Sequence, residues 1–201
     1  MQRFLRLHAP AALLDRDNID TDQILPAAFM RGISPDYAAG LFGLWRRDPA
    51  FVLNRPGWTN AAILVSGTNF GCGSTREHAC WALEEFGIRV LIAGSFGEVF
   101  RDNCVRNGIL PIIAAPEALE TLRQLLRSSA SPVQLDVDLP AQRVTAPDFT
   151  MDFTCPPADK IALLEGLDEI GMTLLNATAL SQWEAQERDR RPWRQSLEMP
   201  E

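Results

Sequence analysis

From residue 61 onward the apolar positions fall into a regular rhythm. AAILVSG (61–67) is an apolar run closed by glycine, the pattern of a strand buried on both faces. IRVLIAG (88–94) is rich in β-branched residues and also ends in glycine, and ILPII (109–113) is a third short run of the same kind. Between these runs the period changes to that of a helix. Residues from about Ser74 to Phe86 make good helix, with Gly87 placed as a C-terminal cap. FGEVFRDNCVRNG (96–108) sets Phe96, Val99, Phe100 and Cys104 at helical spacing before another glycine. PEALETLRQLLRS (116–128) opens with proline, which suits the first turn of a helix because its missing N–H is not needed there. Strand, helix, strand, helix, strand over 61–113 predicts a βαβ core with parallel neighbours.

The flanks differ. VQLDVDL, QRVT and DFTMDF read as short strands in a meander, and 158–187 reads as mostly helical. The tail EAQERDRRPWRQSLEMPE, from about 184 to 201, is polar and is expected to fray or to lie against a partner. From Asp15 to Pro56 there is little periodicity and many loop residues, so a functional loop region is expected over about 20–56. The whole reads as one α/β domain, 1–201, with an irregular N-terminal third.

Charge and cysteines narrow the function. The formal net charge of −7 argues against sequence-independent nucleic-acid binding, and an anionic substrate would need local positive charge to hold it. No apolar run approaches the roughly 20 residues that cross a bilayer. The opening residues MQRFLRLHAPAALLDRDN lack the apolar stretch of a secretory signal. Cys72, Cys80, Cys104 and Cys155 include no C-x-x-C pair, which points away from a disulfide scaffold or a metal site and toward a reducing cytoplasm. Cys72, His78 and Cys80 could form only a partial metal site, and buried thiols beside a surface histidine are the plainer reading.

The stretch with chemistry in it is NFGCGSTREHACWALEEFG (69–87), where two glycines, a serine and an arginine stand at the mouth of the expected helix. A helix start leaves about four N–H groups unpaired and carries roughly half a positive charge. Glycines let such donors approach a ligand, and an arginine fork suits a carboxylate. Ser74 would face the same anion, and the positive field would ease formation of its alkoxide. The alternative is architectural: Ser74-Thr75-Arg76-Glu77 matches a capping box. Both remain open on the residues alone. The stretch has no Walker lysine, no third glycine of a dinucleotide fingerprint and no G-x-S-x-G elbow. A hydrolase built on Ser74 and His78 would place both on one helix, a poor triad arrangement.

NFGCGSTREHACWAL closely resembles the signature of the small subunit of 3-isopropylmalate dehydratase, which corresponds to the swivelling β/β/α domain of the aconitase superfamily. DNIDTDQILPAAF, FVLNRPGW, GSFGEVFRDNCVRNGILPI and DEIGMTLL match in the same order, so the resemblance spans roughly residues 3–184. It implies a hydro-lyase that removes water from a 2-hydroxy acid and adds it back at the neighbouring carbon. In leucine biosynthesis this converts 2-isopropylmalate to 3-isopropylmalate. It also implies a heterodimer in the cytoplasm: a separate large subunit carries a [4Fe–4S] cluster, and this chain binds no metal, nucleic acid or membrane. Carried over by position, Ser74 is the candidate base, and Thr75, Arg76 and Gly73 belong to the segment that holds a substrate carboxylate. Asp22 would support a catalytic histidine of the large subunit; read alone, it is a loop aspartate capping a short helix.

Two positions depart from the family pattern. Arg31 lies in FMRG, which resembles the aconitase version of a substrate-sorting loop and would favour an additional carboxylate over an isopropyl group; read alone, it is a solvated loop arginine. GISPDYAAGLFGLW, the stretch that follows, departs as well, and Thr75 stands where serine is usual. The same chemistry on a related 2-alkylmalate or tricarboxylate is therefore the alternative within the class. A non-catalytic ligand-binding swivel module is the alternative from another class.

Overall fold

The computed structural model describes residues 1–30, 35–191 and 193. Its sheet is organised by a strand that the apolar pattern does not show. β1 (Arg6–Leu14) pairs in parallel with β2 (Ile63–Ser66) and antiparallel with β5 (Gln134–Asp138). β3 (Val90–Ala93) and β4 (Leu110–Ile113) extend the parallel side, and β6 (Arg143–Ala146) and β7 (Phe149–Asp152) the antiparallel side. The resulting order is β4-β3-β2-β1-β5-β6-β7. Proline within RLHAPAALL argues against a strand. It is tolerated because the ladder to β2 begins only at Ala11↔Ile63, one residue after Pro10. Pro111 in β4 sits on the edge of the sheet, where a missing donor does least harm.

Alternate residues of the central strands supply two cores. Ile63, Val65, Val90 and Ile92 face one side, with Leu119 and Leu122 of α5 (Pro116–Ser128) and Leu163 of α6 (Pro157–Glu165). Leu64 and Leu91 face the other, with Cys80 and Leu83 of α3 (His78–Phe86) and Phe100 and Cys104 of α4 (Glu98–Arg106). That second core also takes up the irregular front end: Ile24 and Leu25 from α1 (Thr21–Ile24) and its C-cap, Leu41 and Phe42 just after α2 (Tyr37–Gly40), and Leu53. The βαβ core and the meander thus stand as expected. Residues 1–166 form one compact unit and 167–201 a second, which holds α7 (Glu169–Leu174) and α8 (Ala177–Arg190).

One boundary differs from the sequence reading. α3 starts at His78, with Glu77 at its N-cap, and not at Ser74. A helix begun at Ser74 would need the Thr75 carbonyl to take the N–H of Ala79. Instead that carbonyl accepts from Asn103 Nδ2 at 3.3 Å, and the Ser74 N–H is drawn to Thr21 Oγ1 at 3.1 Å. Tertiary hydrogen bonds hold 74–76 out of the helix.

Candidate active site

Three chain segments run side by side beyond the carboxyl ends of the parallel strands. The middle one is the glycine-rich stretch. On one side Gly71 N–H donates to Ile19 O at 2.7 Å, and Thr21 N–H donates to Cys72 O at 3.0 Å. On the other, Phe70 N–H donates to Ser95 O at 3.0 Å and Gly97 N–H to Phe70 O at 2.9 Å. Positive φ at Asn69 (58°), Gly71 (72°) and Gly73 (97°) gives the middle segment its winding course. The first and third positions are secured differently. Asn69 Nδ2 donates to Asn18 Oδ1 at 2.8 Å, whereas Gly73 meets nothing closer to a built Cβ than Thr21 Oγ1 at 3.6 Å. Gly73 is therefore required for its backbone conformation and leaves the side facing solvent open.

This framework delivers the polar groups to a shallow depression lined by Thr21, Asp22, Ser74, Arg76, His78 and Ala79. Ser74 is half-buried. Its Oγ accepts the N–H of Arg76 at 3.2 Å, so the capping box with Glu77 does not form. The capping box belongs instead to α1. There Asp20 Oδ1 accepts the Gln23 N–H at 2.7 Å while Gln23 Oε1 accepts the Asp20 N–H at 3.0 Å. Asp22 occupies the first turn of that helix, exposed, and is not its cap. Arg76 is exposed and forms no ion pair or hydrogen bond through its guanidinium among the described residues. Thr75 is exposed as well, but it lies outside the lining. Arg31 lies outside the described residues.

His78 closes one side of the depression. Its ring lies 4.6 Å from Trp81 and 5.8 Å from Tyr37, and its buried Nδ1 has no hydrogen-bond partner among the described residues. No hydrogen bond joins it to Ser74 among the described residues. Behind the site the Cys80 and Cys104 thiols stand 3.7 Å apart, and burial raises the Cys104 thiol well above its ordinary pKa. The described residues bring no three His, Cys, Asp or Glu side chains together as a metal site.

A larger cleft of about 670 Å³ opens elsewhere, between Leu14, Arg16, Trp45, Phe51, Trp58 and Arg127. Several of its charged groups are already engaged: Arg127 with Asp15, Arg55 Nε with Ala50 O at 2.7 Å, and Arg16 over the Trp45 ring at 4.7 Å. The smaller depression has a half-buried hydroxyl beside a cation without an ion pair among the described residues, so it is the better candidate for chemistry on an anion. Thr21, Asp20 and Asn103, which build this site, did not stand out in the sequence. Only the position of Thr21 between two aspartates of the Asp-Thr-Asp stretch offered a signal.

Residues 44–117 match the aconitase C-terminal domain. The 3-isopropylmalate dehydratase small subunit of Cupriavidus necator is 43% identical over 96% of this chain and 98% of its own length. The corresponding subunit of Jannaschia sp. is 44% identical over 96% of this chain and all of its own length. The chain belongs to the 3-isopropylmalate dehydratase small-subunit family. Its fold is that of the family: the crystal structure of 3-isopropylmalate dehydratase from Methanocaldococcus jannaschii superposes with a TM-score of 0.66. That match covers 89% of this chain and 99% of the other, at 24% identity. NFGCGSTREHACWAL (69–83), the stretch that resembles the small-subunit signature, begins where the three segments meet.

Proposed function

We propose that this chain, with a large subunit, isomerises 2-isopropylmalate to 3-isopropylmalate by dehydration and rehydration, in the cytoplasm as a step of leucine biosynthesis. The observation that carries the reading is the pairing at one depression of a hydroxyl that accepts a backbone N–H with a guanidinium that has no partner among the described residues. Arg76 grips a substrate carboxylate with its planar fork. Ser74 Oγ removes the proton from the carbon beside that carboxylate. The electron pair left behind forms the double bond as the hydroxyl on the neighbouring carbon takes a proton from an acid of the large subunit and departs as water. Addition of water in the opposite sense completes the isomerisation. The Arg76 N–H and the nearby positive charge both favour the anionic form of Ser74, which a hydroxyl base requires. Thr75 and Gly73 complete the carboxylate-holding segment. Asp22, exposed at the rim, is free to meet a histidine of the large subunit.

The large subunit carries the [4Fe–4S] cluster, which supplies Lewis acidity toward the substrate hydroxyl. The four cysteines here are all free thiols and offer no cluster site among the described residues. Among the described residues no helix is long and apolar enough to cross a membrane. Arg31 is the residue proposed to sort substrates. Arg31→Ala should change the ratio of rates on isopropylmalate and on analogues with an extra carboxylate, and equal losses on all of them would remove that role.

The deciding experiment is Ser74→Ala in the complex with its large subunit. Turnover is expected to fall by about a hundredfold or more while the two chains still associate. Near-wild-type turnover would overturn the assignment.

A further inference from the structure

We propose that Thr21 is the positioning residue that places Ser74 for proton abstraction, and that it acts through the Ser74 backbone and not through the substrate. The proposal rests on the reading of Ser74 as the base. Thr21 is 5% exposed and is held from both sides. Its N–H donates to Cys72 O at 3.0 Å, its carbonyl accepts the Leu25 N–H at 2.9 Å, and the Asp20–Gln23 box fixes the residue before it. Up to Cys72 the two segments are joined by backbone hydrogen bonds. At Gly73 the positive φ of 97° turns the chain away, and among the described residues no backbone acceptor continues the pairing. The side chain of Thr21 bridges the gap: its Oγ1 accepts the Ser74 N–H at 3.1 Å.

That bond is what spaces the two candidate groups. Asp22 follows Thr21 directly in the chain, and Ser74 hangs from the Thr21 hydroxyl, so a single side chain sets Ser74 relative to Asp22. Valine has nearly the same shape but cannot accept a hydrogen bond. In Thr21→Val the Ser74 N–H would be left without its acceptor and would turn toward solvent, taking Oγ with it. A misplacement of the order of 1 Å can slow a reaction about a hundredfold. The Arg76 guanidinium is not part of this link, so substrate binding should be little affected.

The test uses the complex with its large subunit and compares Thr21→Val, Thr21→Ser, Ser74→Ala and the double variant Thr21→Val/Ser74→Ala. Thr21→Ala, which cannot overpack, is the second variant should valine disturb folding. Thr21→Val is expected to lower kcat by roughly ten- to a hundredfold with KM changed by less than about threefold, and Thr21→Ser to restore most of the rate. The double variant should be no slower than Ser74→Ala, because groups that act as one unit are not additive. Exchange of the Ser74 amide should quicken in Thr21→Val and not in Thr21→Ser, a readout independent of activity. Wild-type kcat in Thr21→Val and Thr21→Ala beside an impaired Ser74→Ala would overturn the role of Thr21 while leaving the base in place. A double variant slower than Ser74→Ala by the full Thr21→Val factor would also overturn it. Near-wild-type turnover of Ser74→Ala would instead overturn the functional reading and, with it, this positioning role.

Discussion

Gly71 is packed against the side chain of Phe100, so that a Cβ on Gly71 would overlap the ring carbons, and its φ of 72° is in the left-handed region. The contact ties the glycine-rich segment to α4 and the second core. Gly97 completes it, since its own Cβ would come within 2.5 Å of the Gly71 carbonyl oxygen. Gly71→Ala should therefore be destabilised by both strain and overpacking, by about 2–4 kcal/mol in urea unfolding. Gly87→Ala is the control. It has positive φ (101°) but no atom within 4 Å of a built Cβ, so only the backbone penalty of about 1–2 kcal/mol is expected.

Arg76 should prove sensitive to a change that keeps its charge. A lysine at 76 keeps a cation but loses the fork that holds a carboxylate through two parallel bonds. Arg76→Lys is expected to raise KM by roughly tenfold or more with a smaller change in kcat, measured by steady-state kinetics of the complex. A fall confined to kcat would place Arg76 at the reacting carbon and not at the carboxylate.

Acid stability should depend on one carboxylate near the end of β1. A side-chain hydrogen bond from Arg127 holds the Asp15 carboxyl down to about 2 from its ordinary 3.8; partial burial opposes this and Arg123 adds to it. Because the folded value is the lower one, the stabilisation is fully present above pH 3.8 and is lost as pH falls through about 2. The difference in unfolding free energy between wild type and Asp15→Asn should therefore be constant from neutral pH to about 4 and shrink toward zero below it. A difference that did not change between about pH 4 and about pH 2 would show that the ion pairs contribute nothing.

The four thiols should differ in reactivity. Burial raises Cys104 well above its ordinary range and Cys155 to about 11, and Cys80 is fully buried beside Cys104. Cys72 is only half-buried in the site segment. In the native chain an uncharged thiol reagent should label Cys72 first, and the other three only on unfolding. Protection of Cys72 on adding the large subunit would place that segment in the interface.

Much of the molecule was legible because its elements satisfy themselves locally. The runs 61–67, 88–94 and 109–113 are apolar enough to be buried on both faces whatever surrounds them, and they became β2, β3 and β4. The helix 116–128 was bounded by its own proline and residue preferences, and the structure reproduces both ends. β1 was not legible, since RLHAPAALL carries a proline and short alanines. It becomes a strand because β2 and β5 offer it partners on both sides.

The candidate site divides in the same way. Ser74 and Arg76 were marked by chemical type and by their unusual neighbours, which local sequence can carry, and Asp22 only by the family resemblance. Their arrangement was not. Ser74-Thr75-Arg76-Glu77 has the local pattern of a helix cap, and by itself it would start a helix. The Ser74 N–H donates to Thr21, 53 residues earlier, and the Thr75 carbonyl accepts from Asn103, 28 residues later; these bonds outcompete that preference and hold the serine open beside the arginine. A cap depends on the nearest few residues and can be read from them. A backbone N–H that is satisfied by a hydroxyl far away in the chain exists only once the sheet has brought the two segments together.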